Sequence, residues 1–420
     1  MINYDLYTEV LKKQLIPATG CTEPISLAYA AAVARDVLSE MPYKIEAYVS
    51  SSIVKNAKSV VVPGTNGLKG IESAIAAGVV VGDANAKLEV LASAPENTGE
   101  LARNFMEKCS IQVELSPSCY VFDIWIKMYS ELHVSQVRIT EHHTNVVLKQ
   151  FDDKVLFEHK DDVSLENGDA VNLKIDEIFE YANTCSLEDV RATIEQQILC
   201  NTALSKEGMD GDWGAQIGKT LLHGVANPDV KLRAVAAAAA GSDARMSGCE
   251  MPAVINSGSG NQGLTITLPI VEYAKELGTD SETLIRAMVL ANLVSIRIKK
   301  SIGYLSAYCG AVCAGCGAAA GIAYLYGANK SIIEHTIVNG LAILSGTICD
   351  GAKPSCAAKI AMSVEAGLLG FKMAMLGQEF VHGEGIVKKG IENTIHEVGT
   401  LSKEGMDKTN DVILDIMLKK

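Results

Sequence analysis

The chain has 420 residues, a formal net charge of −13 and 48% hydrophobic residues. That length sets a prior of two or three domains with a sizeable core, and the acidic balance disfavours nucleic-acid and anionic-membrane partners. Eleven cysteines, an odd number, follow an N-terminus (Met1-Ile-Asn-Tyr-Asp5) that is no export signal, which points to a reducing cytoplasm and not to a disulfide scaffold.

Residues 3–15 read as an amphipathic helix. The segment Pro17-Ala-Thr-Gly-Cys21-Thr-Glu-Pro24 then leads into an apolar helix from about Ile25 to Met41. Thr22 and Pro24 are helix-start signals. Cys21 is therefore expected at a helix N-terminus, where partial positive charge favours the thiolate. A buried turn cysteine is the plainer alternative. Residues 44–62 alternate as two strands, with Lys55 and Asn56 between them and the turn Gly64–Gly67 after them. Polar groups at strand ends are common substrate-holding positions. A helix is expected over 69–82. Strands are expected over Ile111–Leu115, Cys119–Lys127, His133–Glu141, Asn145–Phe151 and Val155–Glu158. They carry His142 and His143, but neighbours on a strand point to opposite faces, which argues against a shared metal.

From about residue 172 strand signals stop and helical periodicity runs to the end. The polar segment Ser164–Asp169 marks the boundary. The expected fold is therefore α+β: a mixed α/β domain with short strands (1–170) and a mainly helical domain (171–420). The helical half carries an internal repeat, since Leu204-Ser-Lys-Glu-Gly-Met-Asp210 recurs as Leu401-Ser-Lys-Glu-Gly-Met-Asp407. Gly208 and Gly405 read as helix C-caps. Further on, Gly258, Gly260 and Gly263 give the dinucleotide pattern G-x-G-x-x-G. Its context fails, because helix follows helix with no second parallel strand. Leu264 stands where a P-loop requires lysine. The reading that remains is an anion nest of backbone amides sized for a carboxylate, with Arg245 as a bidentate partner. A tight turn between packed helices is the structural alternative. The run Ala311–Tyr326 is uncharged but too short for a bilayer span.

Five of the 11 cysteines fall between Cys309 and Cys356. Thiolates gathered near glycine-rich turns suit a soft metal or an iron–sulfur cluster. Cys309, Cys313 and Cys316 have radical-SAM spacing, but that class places the motif early, on a βα barrel, whereas here about a hundred residues follow and they read as helices. Cys309, Cys349 and Cys356 form a second set, which would leave one iron of a four-iron cluster without a protein thiolate. Plain burial of the cysteines as small hydrophobes is the third reading.

Several blocks taken together resemble one family: Ala18-Thr-Gly-Cys-Thr-Glu-Pro24, His143-Thr-Asn145, Ser242-Asp-Ala-Arg-Met246, Ser257-Gly-Ser-Gly-Asn-Gln-Gly263, Gly385-Ile-Val387 and the Gly405-Met block. The chain resembles, over essentially its whole length, the L-cysteine desulfidase family, related to iron–sulfur L-serine dehydratases. The resemblance implies a [4Fe–4S] cluster on Cys309, Cys349 and Cys356, with Cys313 and Cys316 beside it. It implies an amino-acid substrate whose β-heteroatom meets the open iron and whose α-proton goes to a protein base. Cys21 is the first choice for that base and His143 the second. Arg245, Ser257, Ser259 and Asn261 are the candidates for the substrate carboxylate, with Lys55 and Asn56 as weaker ones. The expected activity is β-elimination of L-cysteine to pyruvate, ammonia and hydrogen sulfide, at a site where the two domains meet. The rivals are an L-serine or other β-substituted amino-acid ammonia-lyase, an iron–sulfur sensor or carrier, and a catalytically idle protein with buried cysteines. An alanine-rich helical domain is also compatible with a homo-oligomer.

Overall fold

A computed structural model describes residues 2–159 and 173–419. The expected boundary segment Ser164–Asp169 lies outside the described residues. The fold is α+β, with a mixed sheet in the N-terminal half and helices dominating the rest.

The strands are β1 (Pro17–Thr19), β2 (Lys44–Val49), β3 (Ser110–Leu115), β4 (Asp123–Tyr129), β5 (Val134–Thr140), β6 (Val146–Phe151), β7 (Lys154–Glu158) and β8 (Pro252–Val254). Six of them form one sheet in the order β3-β2-β4-β5-β6-β7. Only β2 and β3 run parallel; the other neighbours are antiparallel. In β2, β4 and β5 buried residues alternate with partly exposed ones, the period expected of strands covered on one face. The helices Thr22–Leu38 and Ile71–Val81 lie against each other in this half, and the first also packs on β4 and β5. They approach so closely that a Cβ on Gly78 would stand 2.2 Å from the Ala28 carbonyl oxygen.

Two departures from the sequence reading bear on the site. Lys55 and Asn56 do not join two strands. They sit on a short helix, Ser51–Ala57, and only an isolated bridge at Val61 remains of the second strand. Strand structure also does not stop at residue 172, because β8 pairs antiparallel with β1 and ties the two halves together.

The helical half is built on Leu187–Asp210, Val230–Met246, Gly260–Leu277, Ser281–Ile302, Gly310–Leu325, Lys330–Ile343 and Cys356–Met375. A buried amide network sets its geometry near β8. Gln197 and Asn292 exchange hydrogen bonds of 3.0 and 2.8 Å. Asn256 donates to Asn292 Oδ1 at 2.9 Å. Asn201 accepts from Val254 N at 2.8 Å and donates to its carbonyl at 3.2 Å, acting as a substitute strand neighbour for β8. Buried amides satisfied in this way fix one arrangement of the segments they join.

The halves exchange their terminal helices. Tyr7 and Leu11, from the first helix Tyr4–Gln14, lie in the core of the helical half. Leu414, from the last helix Asp407–Leu418, lies in the core beside the sheet. The repeat copies also diverge. Gly208 is no C-cap, since its helix runs on to Asp210; it is a packing glycine whose Cβ would stand 1.9 Å from Ala240 O. Gly405 ends a π-turn, Leu401–Gly405, just before the last helix.

Candidate active site

A cavity of about 410 Å³ opens where elements of both halves converge. Ten of the eleven residues singled out in the sequence line it: Cys21, Asn56, His143, Arg245, Ser257, Ser259, Asn261, Cys309, Cys349 and Cys356. Lys55 is the exception. It is 1% exposed and donates to Leu305 O (3.2 Å), Ser306 O (3.5 Å) and Asn410 Oδ1 (2.7 Å), so its ammonium is occupied by the protein.

One wall comes from the N-terminal half. Cys21 is the N-cap of the helix Thr22–Leu38. The expected thiolate is opposed there. Burial pushes the thiol well above its usual range, and Glu23 adds to the rise against the pull of Arg245. Cys21 Sγ donates to Glu23 Oε2 at 3.2 Å, and Asn56 Nδ2 donates to Glu23 Oε1 at 3.1 Å. Burial alone would raise the Glu23 carboxyl. His143, the Cys21 thiol, its own backbone N–H and Arg245 outweigh that and hold it below its ordinary value. Glu23 was quoted in a sequence block without a role, because what defines it is contact with side chains far along the chain. His142 and His143 lie in the β5–β6 turn, not on a strand, and both reach the cavity. Burial pushes the His143 imidazole below its usual range, with Glu23 opposing and His142 and Arg245 adding to the fall. His143 is therefore neutral near pH 7.

The opposite wall begins at Asn256. Asn256 and Ser259 exchange backbone hydrogen bonds of 3.1 and 3.0 Å around Ser257 (φ 50°) and Gly258 (φ 76°). Two consecutive left-handed residues make this a tight two-residue hairpin turn. The glycine pattern is thus a turn and a helix start, with Ser259 as the N-cap of Gly260–Leu277. Thr22 Oγ1 donates to Gly258 O at 2.9 Å, which joins the two walls. Arg245, 2% exposed, ends the helix Val230–Met246. Its Nη1 donates to Asn261 Oδ1 at 3.2 Å, while Nε and Nη2 are buried without a partner. Gly260 makes room for it, since a Cβ there would stand 2.3 Å from Arg245 Nε.

The third wall carries the thiols. A bridge between Tyr308 and Ile348 sets Cys309 beside Cys349, with Cys309 N donating to Thr347 O and Cys349 N to Ala307 O. Cys309 is the N-cap of one helix and Cys356 the first residue of another. The Cys349 thiol is held well below its ordinary range: a hydrogen bond from Cys309, then Lys55, the Gly351 N–H and Lys299 outweigh its burial. Cys313 and Cys316 do not line the cavity. Burial pushes the Cys313 thiol up to about 12 and that of Cys316 higher, so both behave as core packing. Among the described residues, no three His, Cys, Asp or Glu side chains converge tightly enough for a single metal ion. Nor is any described helix long and apolar enough to cross a membrane.

Among the described residues, half of the buried polar side-chain atoms without a partner belong to residues lining this one cavity: Asn56 Oδ1, His143 Nε2, Arg245 Nε and Nη2, Gln262 Oε1 and Tyr308 Oη. Each such atom costs about 1–3 kcal/mol if nothing meets it, so their concentration here marks a site built for a polar occupant.

Comparison with known proteins gives a consistent placement. The family model described as serine dehydratase alpha chain matches residues 85–415, which include His143, Arg245 and all three thiols of the third wall. UPF0597 protein DSY1109 of Desulfitobacterium hafniense (strain Y51) is 49% identical over 419 residues, covering 99% of this chain and 97% of the relative. A UPF0597 protein of Finegoldia magna is 47% identical over 420 residues, with 99% of each chain covered. One of Lachnoclostridium phytofermentans is 46% identical over 416 residues, 99% of this chain and all of the relative. With a match spanning most of its length, this chain belongs to the serine dehydratase alpha chain family.

Proposed function

We propose that the protein is an iron–sulfur-dependent lyase for small β-substituted α-amino acids, with L-cysteine as its substrate. The observation that carries this reading is Arg245. A buried guanidinium with Nε and Nη2 unpartnered, in the wall of the same cavity as three thiols, is a ready bidentate partner for a carboxylate. Asn56 supports the amino-acid class. Its Nδ2 is committed to Glu23, which leaves Oδ1 as a buried acceptor without a donor. A zwitterion supplies both missing partners, the carboxylate for Arg245 and the ammonium for Asn56.

Cys309, Cys349 and Cys356 would hold a [4Fe–4S] cluster. The donor chemistry fits: three thiols face one cavity, two of them at helix starts, and Lys55 and Lys299 lie close enough to offset thiolate charge at Cys349. When bound, such a cluster supplies a Lewis-acidic iron at which a substrate thiolate becomes a better leaving group.

The protein's own residues would then do the following. Arg245 and Asn261 fix the carboxylate, and Ser257 and Ser259 close that end of the cavity. Neutral His143 takes the α-proton, and the Glu23 carboxylate stabilises the imidazolium so formed. This reverses the order expected from sequence, because Cys21 keeps its proton toward Glu23 while His143 is free to accept one. Loss of the α-proton and of sulfide leaves aminoacrylate, which tautomerises and hydrolyses to pyruvate and ammonia.

A second reading, dehydration of L-serine at the same site, is favoured by the family match. Pyruvate yield from L-cysteine and from L-serine, measured on anaerobically reconstituted protein, separates the two. Turnover of cysteine with sulfide release supports the first reading. Pyruvate from serine alone replaces it with the second.

A further inference from the structure

Lys55 is a fully buried cation that takes no part in substrate binding or proton transfer in the proposed reaction. An ammonium has three N–H bonds, and here three acceptors meet it, all from segments at least 250 residues down the chain. Burying an ammonium is tolerated only when it is satisfied in this way. Two of the acceptors, the carbonyls of Leu305 and Ser306, belong to the turn that leads into Cys309. In that turn Leu305 is left-handed (φ 51°), and Ser306 Oγ accepts from Tyr308 N at 3.2 Å. The third acceptor, Asn410 Oδ1, belongs to the last helix, Asp407–Leu418.

Other contacts stitch the same places together. Ser402 Oγ donates to Ile302 O at 2.7 Å and lies 3.2 Å from Ser306 Oγ. Lys58 Nζ donates to Met417 O at 2.6 Å, so both ends of the last helix are tied near the short helix that carries Lys55. On the other side, the Lys55 backbone abuts the turn between Cys349 and Cys356. A Cβ on Gly351 (φ 92°) would stand 2.2 Å from Lys55 O.

We propose that Lys55 is a positioning residue that clamps the Leu305–Ser306 turn to the C-terminal helix, and thereby holds the cysteine-bearing wall of the cavity in place. The C-terminal helix is then part of the site's architecture although no residue of it lines the cavity. The clamp holds the wall whatever the substrate.

The exchange and Tm readouts use full-length apo protein, so that their failure is separate from failure of the proposed reaction, and iron is read on a separately reconstituted sample. Hydrogen–deuterium exchange is read over residues 303–309 and 407–418 in the wild type and in Asn410→Ala, Asn410→Asp and Lys55→Met, together with Tm and iron retained after anaerobic reconstitution. Asn410→Ala keeps the charge on Lys55 and removes only an acceptor on a half-exposed residue. It is expected to leave Tm near the wild-type value while exchange at 303–309 rises about tenfold, as for a local opening, and iron retention falls. Asn410→Asp keeps an acceptor and restores protection. Lys55→Met gives the same local pattern more strongly. Wild-type exchange at 303–309 in Asn410→Ala overturns the proposal, as does uniform loosening of the whole chain in a folded Lys55→Met protein. If Lys55→Met does not fold, Asn410→Ala decides alone.

Discussion

Arg245 is 2% exposed, yet two of its three guanidinium nitrogens have no partner. Charge-assisted hydrogen bonds contribute about 1.5–3 kcal/mol each. Arg245→Lys, which keeps the charge and loses the fork, is therefore expected to lower kcat/KM by about 10- to 100-fold with little change in Tm, as steady-state kinetics would show. Glu23 is tested through pH. Burial sets His143 below the ordinary imidazole range, and Glu23 pulls it back up. Glu23→Gln removes that pull, so the acid limb of the kcat/KM profile is expected to move further toward acid; a limb that moves toward base contradicts the role given to Glu23. That Arg245 stands beside the glycine-rich turn was legible in the sequence. Glu23 was not, since Asn56 and His143 reach it only in the folded chain. For Cys21 the sequence offered a helix N-terminus and burial as alternatives; the fold combines them, and burial outweighs the N-terminus.

Asp243 offers a second test at this scale. Burial raises its carboxyl to about 6 against the backbone N–H groups of Gly218, Ile217 and Ala215, and its Oδ1 has no partner. A carboxyl raised from its ordinary 3.8 costs no stability below that value, and costs progressively more as pH climbs to about 6. Asp243→Asn should therefore match the wild type in Tm near pH 4 and exceed it by a constant margin above pH 6. A margin that grows toward acid would reverse the sign.

At the scale of elements, the repeat shows how one sequence serves two structures. Leu204–Asp210 stays α-helical, and Gly208 lets that helix touch Ala240, whereas Leu401–Gly405 winds as a π-turn and a Cβ on Gly405 would meet only the Leu401 side chain, 3.1 Å away. Gly208→Ala should cost about 1–3 kcal/mol through overpacking, and Gly405→Ala should cost much less; denaturant unfolding of the two proteins checks the difference. The periodic elements were legible: Tyr4–Gln14, Ile71–Val81 and strands β4 to β7 fall within a few residues of expectation. The helix Ser51–Ala57 was not legible. Its neighbourhood, Ile53-Val-Lys-Asn-Ala-Lys-Ser-Val-Val-Val62, is rich in β-branched residues whose strand preference gives way to tertiary packing. That helix places Asn56 on the cavity and turns Lys55 away from it, so the error about the element carried over to the site.

At the scale of the whole molecule, two cores share one cavity, and the first and last helices cross between them. The α+β class could be read from where strand signals cluster. The exchange of terminal helices could not, because neither helix carries a local sign of which core it joins. The cavity draws Cys21, Glu23, Asn56 and His143 from the N-terminal half and Arg245, Asn261, Cys309, Cys349 and Cys356 from the helical half, so its chemistry depends on both halves docking. The measurement that tests this most directly is iron and acid-labile sulfide per chain, after anaerobic purification and reconstitution, in the wild type and in single alanine variants of the five cysteines from Cys309 to Cys356. The expected result is about four of each per chain, lost in Cys309→Ala, Cys349→Ala and Cys356→Ala and kept in Cys313→Ala and Cys316→Ala. No specific iron uptake, or loss confined to Cys313 and Cys316, would contradict the assignment.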